Sequence, residues 1–190
     1  MNHKNNFTFA PQFSKHCKVN YLKEFRISFR GLSVGNHSYN WEIHKKFFEA
    51  LENADIEDSN LNVELLLEKQ DRMMILNFII RGEVQVLCDR CLDVLYLPVN
   101  IDEKYYVKFG PEKREESENV IVIPESEYQI DISLLINEYI TLSLPIRKVH
   151  AENEDGSEGC NPEVMKKLAE ISETKPMDPR WEKLRNIKFD

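Results

Sequence analysis

From Tyr21 to Phe29 the apolar residues Tyr21, Phe25, Ile27 and Phe29 fall on odd positions, the period-two pattern of a half-buried strand. Gly31 and Gly35 punctuate a turn, and a second strand follows from His37 to Ile43. Phe47, Phe48 and Leu51 fit a short helix opening near Ile43. Alternation resumes at Leu61, Val63, Leu65 and Leu67, and Gln70-Asp71-Arg72 supplies a turn. Met74, Leu76, Phe78, Ile80, Val84 and Val86 then hold the even positions of a long strand. Cys88 continues this series, which puts its side chain on the core face at the strand's end. Past Cys91 the apolar set moves to odd positions: Leu95, Leu97, Val99, Ile101, Tyr105, Val107 and Phe109. Pro98 marks this strand as an edge or a bulge, because proline cannot donate to a ladder.

Gly110 to Asn119 is charged and lacks large apolar groups, which predicts a mobile loop before a short strand over Val120 to Ile123. Ile132, Leu135, Ile136, Tyr139 and Ile140 then recur at helical spacing, with Asp131 or Ser133 as cap and Pro145 as stop. Ala151 to Gly159 is acidic and predicts a flexible loop. Asn161-Pro162 and Asp178-Pro179 each place a capping residue before a proline, the order in which helices start. The first predicted helix carries Val164, Leu168 and Ile171, and the second Trp181, Leu184 and Ile187. Both are too short to stand alone and must dock on a core or a partner. The whole predicts an α+β fold: a mainly antiparallel sheet or partly open barrel with a few peripheral helices. Its organisation reads as a flexible tail over 1–19, an antiparallel α+β domain over 20–150, and a flexible loop with two short helices over 151–190.

Composition narrows the class. The 190 residues are 42% hydrophobic with only 6 glycines and 8 prolines, which excludes a fibrous or fully disordered chain. No apolar run suits a signal peptide, and the most apolar stretch, Met73 to Ile80, is far shorter than the ~20 residues that span a bilayer. A cytoplasmic protein without a membrane partner is expected. The net charge of −8 is uneven: residues 1–50 hold 8 Lys/Arg and 3 Asp/Glu, and residues 51–190 hold 17 and 30. Direct contact with nucleic acid would therefore fall to the basic stretch Lys15 through Lys46. A solvated strand face gives the same pattern, since Lys23, Arg26 and Arg30 flank Phe25, Ile27 and Phe29. The acidic remainder suits a basic protein partner as well as it suits RNA.

Four cysteines without a secretory signal read as thiols or metal ligands before disulfides. Cys88 and Cys91 sit three positions apart on a tight turn between two strands, where two thiolates can face one tetrahedral ion. His150 and Cys160 are the companions that fall together in sequence and would close a structural zinc site. Two half-buried thiols beside a surface histidine would read the same way. A thioredoxin-like redox pair fits less well, because that chemistry uses a helix N-terminus to acidify the thiol. Cys17 reads as a free thiol. No nucleophile elbow, phosphate-cradling loop or HExxH motif is present, and His3, His16, His37 and His44 have no partner at catalytic spacing. No enzyme and no small-molecule substrate are expected.

Several ordered motifs resemble one family. They are Gly82-Glu83-Val84 leading to Cys88-Asp89-Arg90-Cys91-Leu92, then Ile130-Asp131-Ile132 to Leu142-Ser143-Leu144-Pro145, then His150 and Cys160, and finally Asp178-Pro179-Arg180-Trp181 with Leu184. In that order they resemble the YceD-like proteins, implicated in accumulation of large-subunit ribosomal RNA, over roughly residues 20–188. The resemblance implies a non-enzymatic ribosome biogenesis factor whose partner is a ribosomal RNA precursor or a large-subunit assembly protein. It puts the family's thiol positions on Cys88, Cys91 and Cys160 and its histidine on His150. Arg90, Arg180 and Trp181 are then the expected partner-binding residues. The alternative is an acidic protein-protein interaction module without RNA contact, stabilised by structural zinc.

Overall fold

A computed structural model describes residues 21–151 and 159–173. They divide into two compact units, one of residues 21–86 with 96–146, the other of Leu87–Leu95 with the described residues from Arg147 onward.

The first unit is built on an open six-stranded sheet. Its strands are β2 (Gly35–Ile43), β3 (Asp58–Lys69), β4 (Met73–Leu87), β5 (Val94–Gly110), β6 (Arg114–Ser117) and β7 (Val120–Pro124), in the order β2-β3-β4-β5-β7-β6. β1 (Arg26–Ser28) and β8 (Gln129–Asp131) form a separate antiparallel pair. The α+β expectation holds, with an open sheet in place of a barrel. The sheet is mixed, because β7 runs parallel to β5 while β6 returns antiparallel to β7.

The even positions of β4 that alternation singled out are all fully buried, and the register sets them opposite the odd positions of β3: Phe78 faces Leu65 and Ile80 faces Val63. That face carries the core, which α1 (Lys45–Ala50) supplements with the buried rings of Phe47 and Phe48. Phe25 meets Phe47 edge-on with centroids 4.9 Å apart. α2 (Ser133–Ser143) buries Ile136 and Ile140, and its Tyr139 ring meets Phe78 at 5.7 Å. Neither proposed residue is the cap: Ile132 holds that position without a side-chain cap bond, and the Asp131 carboxylate just before it accepts from both the N–H and the hydroxyl of Ser133. Gly82 has φ +141°, and a Cβ there would lie 2.1 Å from the Asn60 carbonyl oxygen, so β3 and β4 approach more closely than a side chain allows.

Two expectations are corrected. The segment Tyr21 to Phe29 is not one strand: Leu22–Phe25 is a 3-10 turn and only Arg26–Ser28 is extended. Phe25, Ile27 and Phe29 are buried as the alternation implied, but a single turn followed by three strand residues keeps the same spacing of buried rings. Gly110 to Asn119 is not simply a loop, for it contains β6, paired with β7. All four residues of β6 are exposed, so no hydrophobic period announces it. Backbone pairing holds it, together with Glu116 bridging Lys108 and Arg114 at 2.6 and 2.8 Å. Pro98 sits as expected for an edge, since β7 pairs β5 only from Tyr106 to Gly110. No helix among the described residues is long and apolar enough to cross a membrane.

Candidate metal centre

The second unit begins where Cys88 leaves β4. Its backbone N–H donates to the Asp93 carbonyl and its carbonyl accepts from Leu92 N–H, both at 2.9 Å, closing a tight loop around Cys91. Leu92 takes a left-handed conformation, φ +63°, which a non-glycine residue rarely adopts. Asp89 fastens the next segment: its N–H donates to the Lys148 carbonyl at 2.7 Å, and its carboxylate accepts from Lys148 N–H at 2.6 Å. His150 follows two residues later.

Cys160 is placed by its neighbours. The Asn161 side chain accepts from Glu163 N–H at 3.1 Å and so caps α3 (Pro162–Glu173), while its amide donates to the Asp93 carboxylate at 3.1 Å. The predicted Asn-Pro helix start is therefore observed, and the same cap ties that helix to the cysteine turn. At Gly159 a Cβ would meet the Ala151 carbonyl oxygen at 2.1 Å and the His150 Cβ at 3.2 Å, so glycine is what lets the chain pass this close to His150.

These ties bring all four sequence-predicted donors together. One ligand atom from each of Cys88, Cys91, His150 and Cys160 lies within 4.8 Å of every other. The three cysteines are buried free thiols, enclosed by Leu95, Val149, Val164 and Met165. Cys88 Sγ and Cys160 Sγ are 3.8 Å apart, and Cys91 Sγ and His150 Nδ1 3.5 Å. A tetrahedral ion with bonds of about 2.3 Å to sulfur and about 2.0 Å to nitrogen requires edges of about 3.8 and 3.5 Å. The site can therefore hold a metal ion. His150 Nε2 lies 3.0 Å from the Val94 carbonyl; as the donor there, it orients the ring and leaves Nδ1 facing the thiols.

Burial pushes the Cys88 thiol up, but the amides of Cys91, Arg90 and His150 and the Cys91 thiol more than reverse this and hold it at about 6. The Val94 carbonyl raises the His150 imidazole, against the effect of burial, and Cys88 and Cys91 add to the rise. Burial raises Cys160, and its thiol neighbours raise it further. The environment thus concentrates negative charge on one sulfur of the cluster, which favours a cation at its centre.

Arg90 is half-buried in the same turn and lines a groove with Met165, Leu168, Ala169 and Ser172. Arg180 and Trp181 lie outside the described residues, as do the Asp178-Pro179 helix start, Cys17, His3 and His16. His37 and His44 hydrogen-bond to the carbonyls of Ser33 and Ser59 at the edge of the sheet unit. Sequence reading missed the positioning residues Asp89, Asp93, Asn161 and Gly159. The cap-plus-proline signal at Asn161 was visible, but its second bond, to Asp93, spans 68 residues.

The family model described as "Large ribosomal RNA subunit accumulation protein YceD" matches residues 76–188, more than half of the chain and inclusive of all four donors. No curated protein and no solved structure matches.

Proposed function

The chain belongs to the YceD family of large ribosomal RNA subunit accumulation proteins, and from that premise we propose that it is a non-enzymatic, cytoplasmic factor supporting accumulation or processing of large-subunit ribosomal RNA. In this reading Cys88, Cys91, His150 and Cys160 hold a structural zinc ion. Zinc suits the mixed thiolate and imidazole set, and four protein donors leave no coordination position for a substrate water. The ion would cross-link the Cys88–Cys91 turn, the His150 segment and the start of α3, and so fix Arg90 and the outer residues of α3 as a surface for a partner.

The observation that carries the proposal is that the family match runs through the whole donor set, so the family's role and the site lie on the same stretch of chain. The test is deletion of the gene followed by quantification of large- and small-subunit ribosomal RNA and their precursors. Loss of large-subunit RNA alone, restored by the wild-type chain but not by Cys88→Ser, is expected. Unchanged subunit profiles would overturn the proposal.

Charge favours a second reading, a protein-interaction module without RNA contact, because the net charge of −8 opposes a phosphate backbone. Partners that survive nuclease treatment, with no RNA shift even at low salt, would favour it.

A further inference from the structure

α3 is packed at its start and exposed toward its end. Val164, Leu168 and Ile171 share one face by their spacing, and the first turn meets the cysteine cluster through Val164 and Met165. The cover thins along the helix: Leu168 is 42% and Ile171 59% exposed. Beside them runs a groove of about 400 Å³, with Arg90 of the cysteine turn on one side and Met165, Leu168, Ala169 and Ser172 of α3 on the other. The bond from Asn161 to Asp93 holds the helix to that turn. Single exposed leucines are ordinary, but an apolar stripe that continues a packed one along a groove marks an interaction surface.

The chain that follows supplies an occupant. α3 ends at Glu173, next to Ser172 in the groove wall, and residues 174–190 lie outside the described residues. Pro176 cannot continue a helix and disfavours a helical Lys175, which leaves Thr174 to Met177 as a connector before the Asp178-Pro179 helix start. A connector of this length suits two antiparallel helices. Trp181, Leu184 and Ile187 recur every third residue, the apolar stripe that such a second helix needs. The tether holds this stripe at an effective concentration of about millimolar, against which any free partner must compete. The family match runs to residue 188 and so includes this segment with the four donors.

We propose that the groove docks the chain's own C-terminal segment, residues 178–190, as a helix antiparallel to α3, with Trp181 entering the groove beside Arg90 and Leu184 and Ile187 continuing along α3. A buried tryptophan removes about 150–250 Å² from water, and a guanidinium over its ring adds a cation–π contact. The second unit thereby closes its own apolar stripe, and the surface it offers a partner includes the outer side of the docked segment. The inference goes beyond the ribosomal RNA reading and does not depend on it, since every readout is taken on the purified chain.

The test uses the full-length chain, whose two tryptophans are Trp41 and Trp181. In Trp41→Phe the remaining indole reports on the segment alone. Its emission should be blue-shifted, and acrylamide should quench it about three- to fivefold less than in the same chain unfolded in guanidinium, as burial of the ring requires. Leu168→Asp in this background should restore most of the lost quenching, whereas Leu142→Asp, at a leucine 74% exposed on α2, should leave it unchanged. Hydrogen exchange gives a readout without fluorescence: Trp181→Ala should speed exchange over residues 165–173 about tenfold or more, with β2 to β4 unaffected. Trp181 equally accessible in the folded and unfolded chain, equal quenching in Leu168→Asp and its control, or unchanged exchange in Trp181→Ala would overturn the proposal. So would shielding that appears only as protein concentration rises and the molecular mass doubles, which would give the groove to a second copy.

Discussion

The sheet unit and the cysteine unit solve the problem of a stable interior in opposite ways. The first buries a continuous set of large side chains, among them Phe25, Phe47, Phe48, Phe78, Leu65 and Ile80, each essentially inaccessible to solvent. At about 25 cal/mol per Å² of apolar area removed from water, such a set stabilises without help. The second has three small thiols at its centre and only half-buried Leu95, Val149, Val164 and Met165 around them. A unit smaller than roughly 70–80 residues rarely gains enough from burial alone and is helped by a staple. Three small thiols bury little apolar area, and their close convergence with His150 suits the coordination proposed for them.

The comparison predicts different responses to damage. The largest effect is expected from Cys88→Ser, which removes one donor of four. A structural zinc site contributes about 10–16 kcal/mol of apparent binding free energy near neutral pH, so the variant should lose its metal and the second unit its order. Hydrogen exchange should show lost protection over residues 147–151 and 159–173, with β2 to β4 still protected. Uniform loss across both units would break the comparison.

Phe78→Ala attacks the other interior and should cost about 3–5 kcal/mol, the usual range for an aromatic deletion in a packed core. Below its lowered melting point this variant should keep its metal, as elemental analysis would report. Next come the two glycines. An added methyl at Gly82 meets the Asn60 carbonyl oxygen, and one at Gly159 meets the Ala151 carbonyl oxygen. Each alanine variant should lose on the order of 2 kcal/mol or more. Gly82→Ala should show this in thermal unfolding of the sheet unit, whereas Gly159→Ala should show it in weakened metal retention.

The smallest effect concerns pH. Tyr139 stays protonated in the folded chain up to about 12, above its ordinary value of 10.0. Its contribution is therefore fully present below pH 10, and is lost as pH rises between these two values, because the unfolded chain releases that proton first. Burial also raises Tyr21, Tyr39 and Tyr105, so ultraviolet titration should show a latest phase, near 12, that disappears in Tyr139→Phe. A wild-type titration with no late phase would contradict the setting of the Tyr139 hydroxyl, shielded from solvent beside Glu103 and Glu138.

How much of this was legible in the sequence follows from what each feature depends on. β4 was legible because one of its faces is wholly buried and alternation records burial. β6 was not, because an exposed edge strand carries no period and is held by backbone bonds to β7. The 3-10 turn before β1 was hidden because it buries Phe25 at the spacing a strand would give. The spacing of Cys88 and Cys91 made them candidates to face one ion, with His150 and Cys160 as compatible companions, and the structure brings these four donors together. The residues that aim the donors were invisible, because Asp89 and Asp93 act through bonds to segments some 60 residues away.

The account turns on the four donors closing around one ion. The most direct measurement is elemental analysis of the full-length protein purified without chelator, with hydrogen exchange before and after metal removal. One zinc ion per chain is predicted, with protection of α3 and the His150 segment lost when it is withdrawn. A metal-free chain in which these segments are protected to the same degree would contradict it.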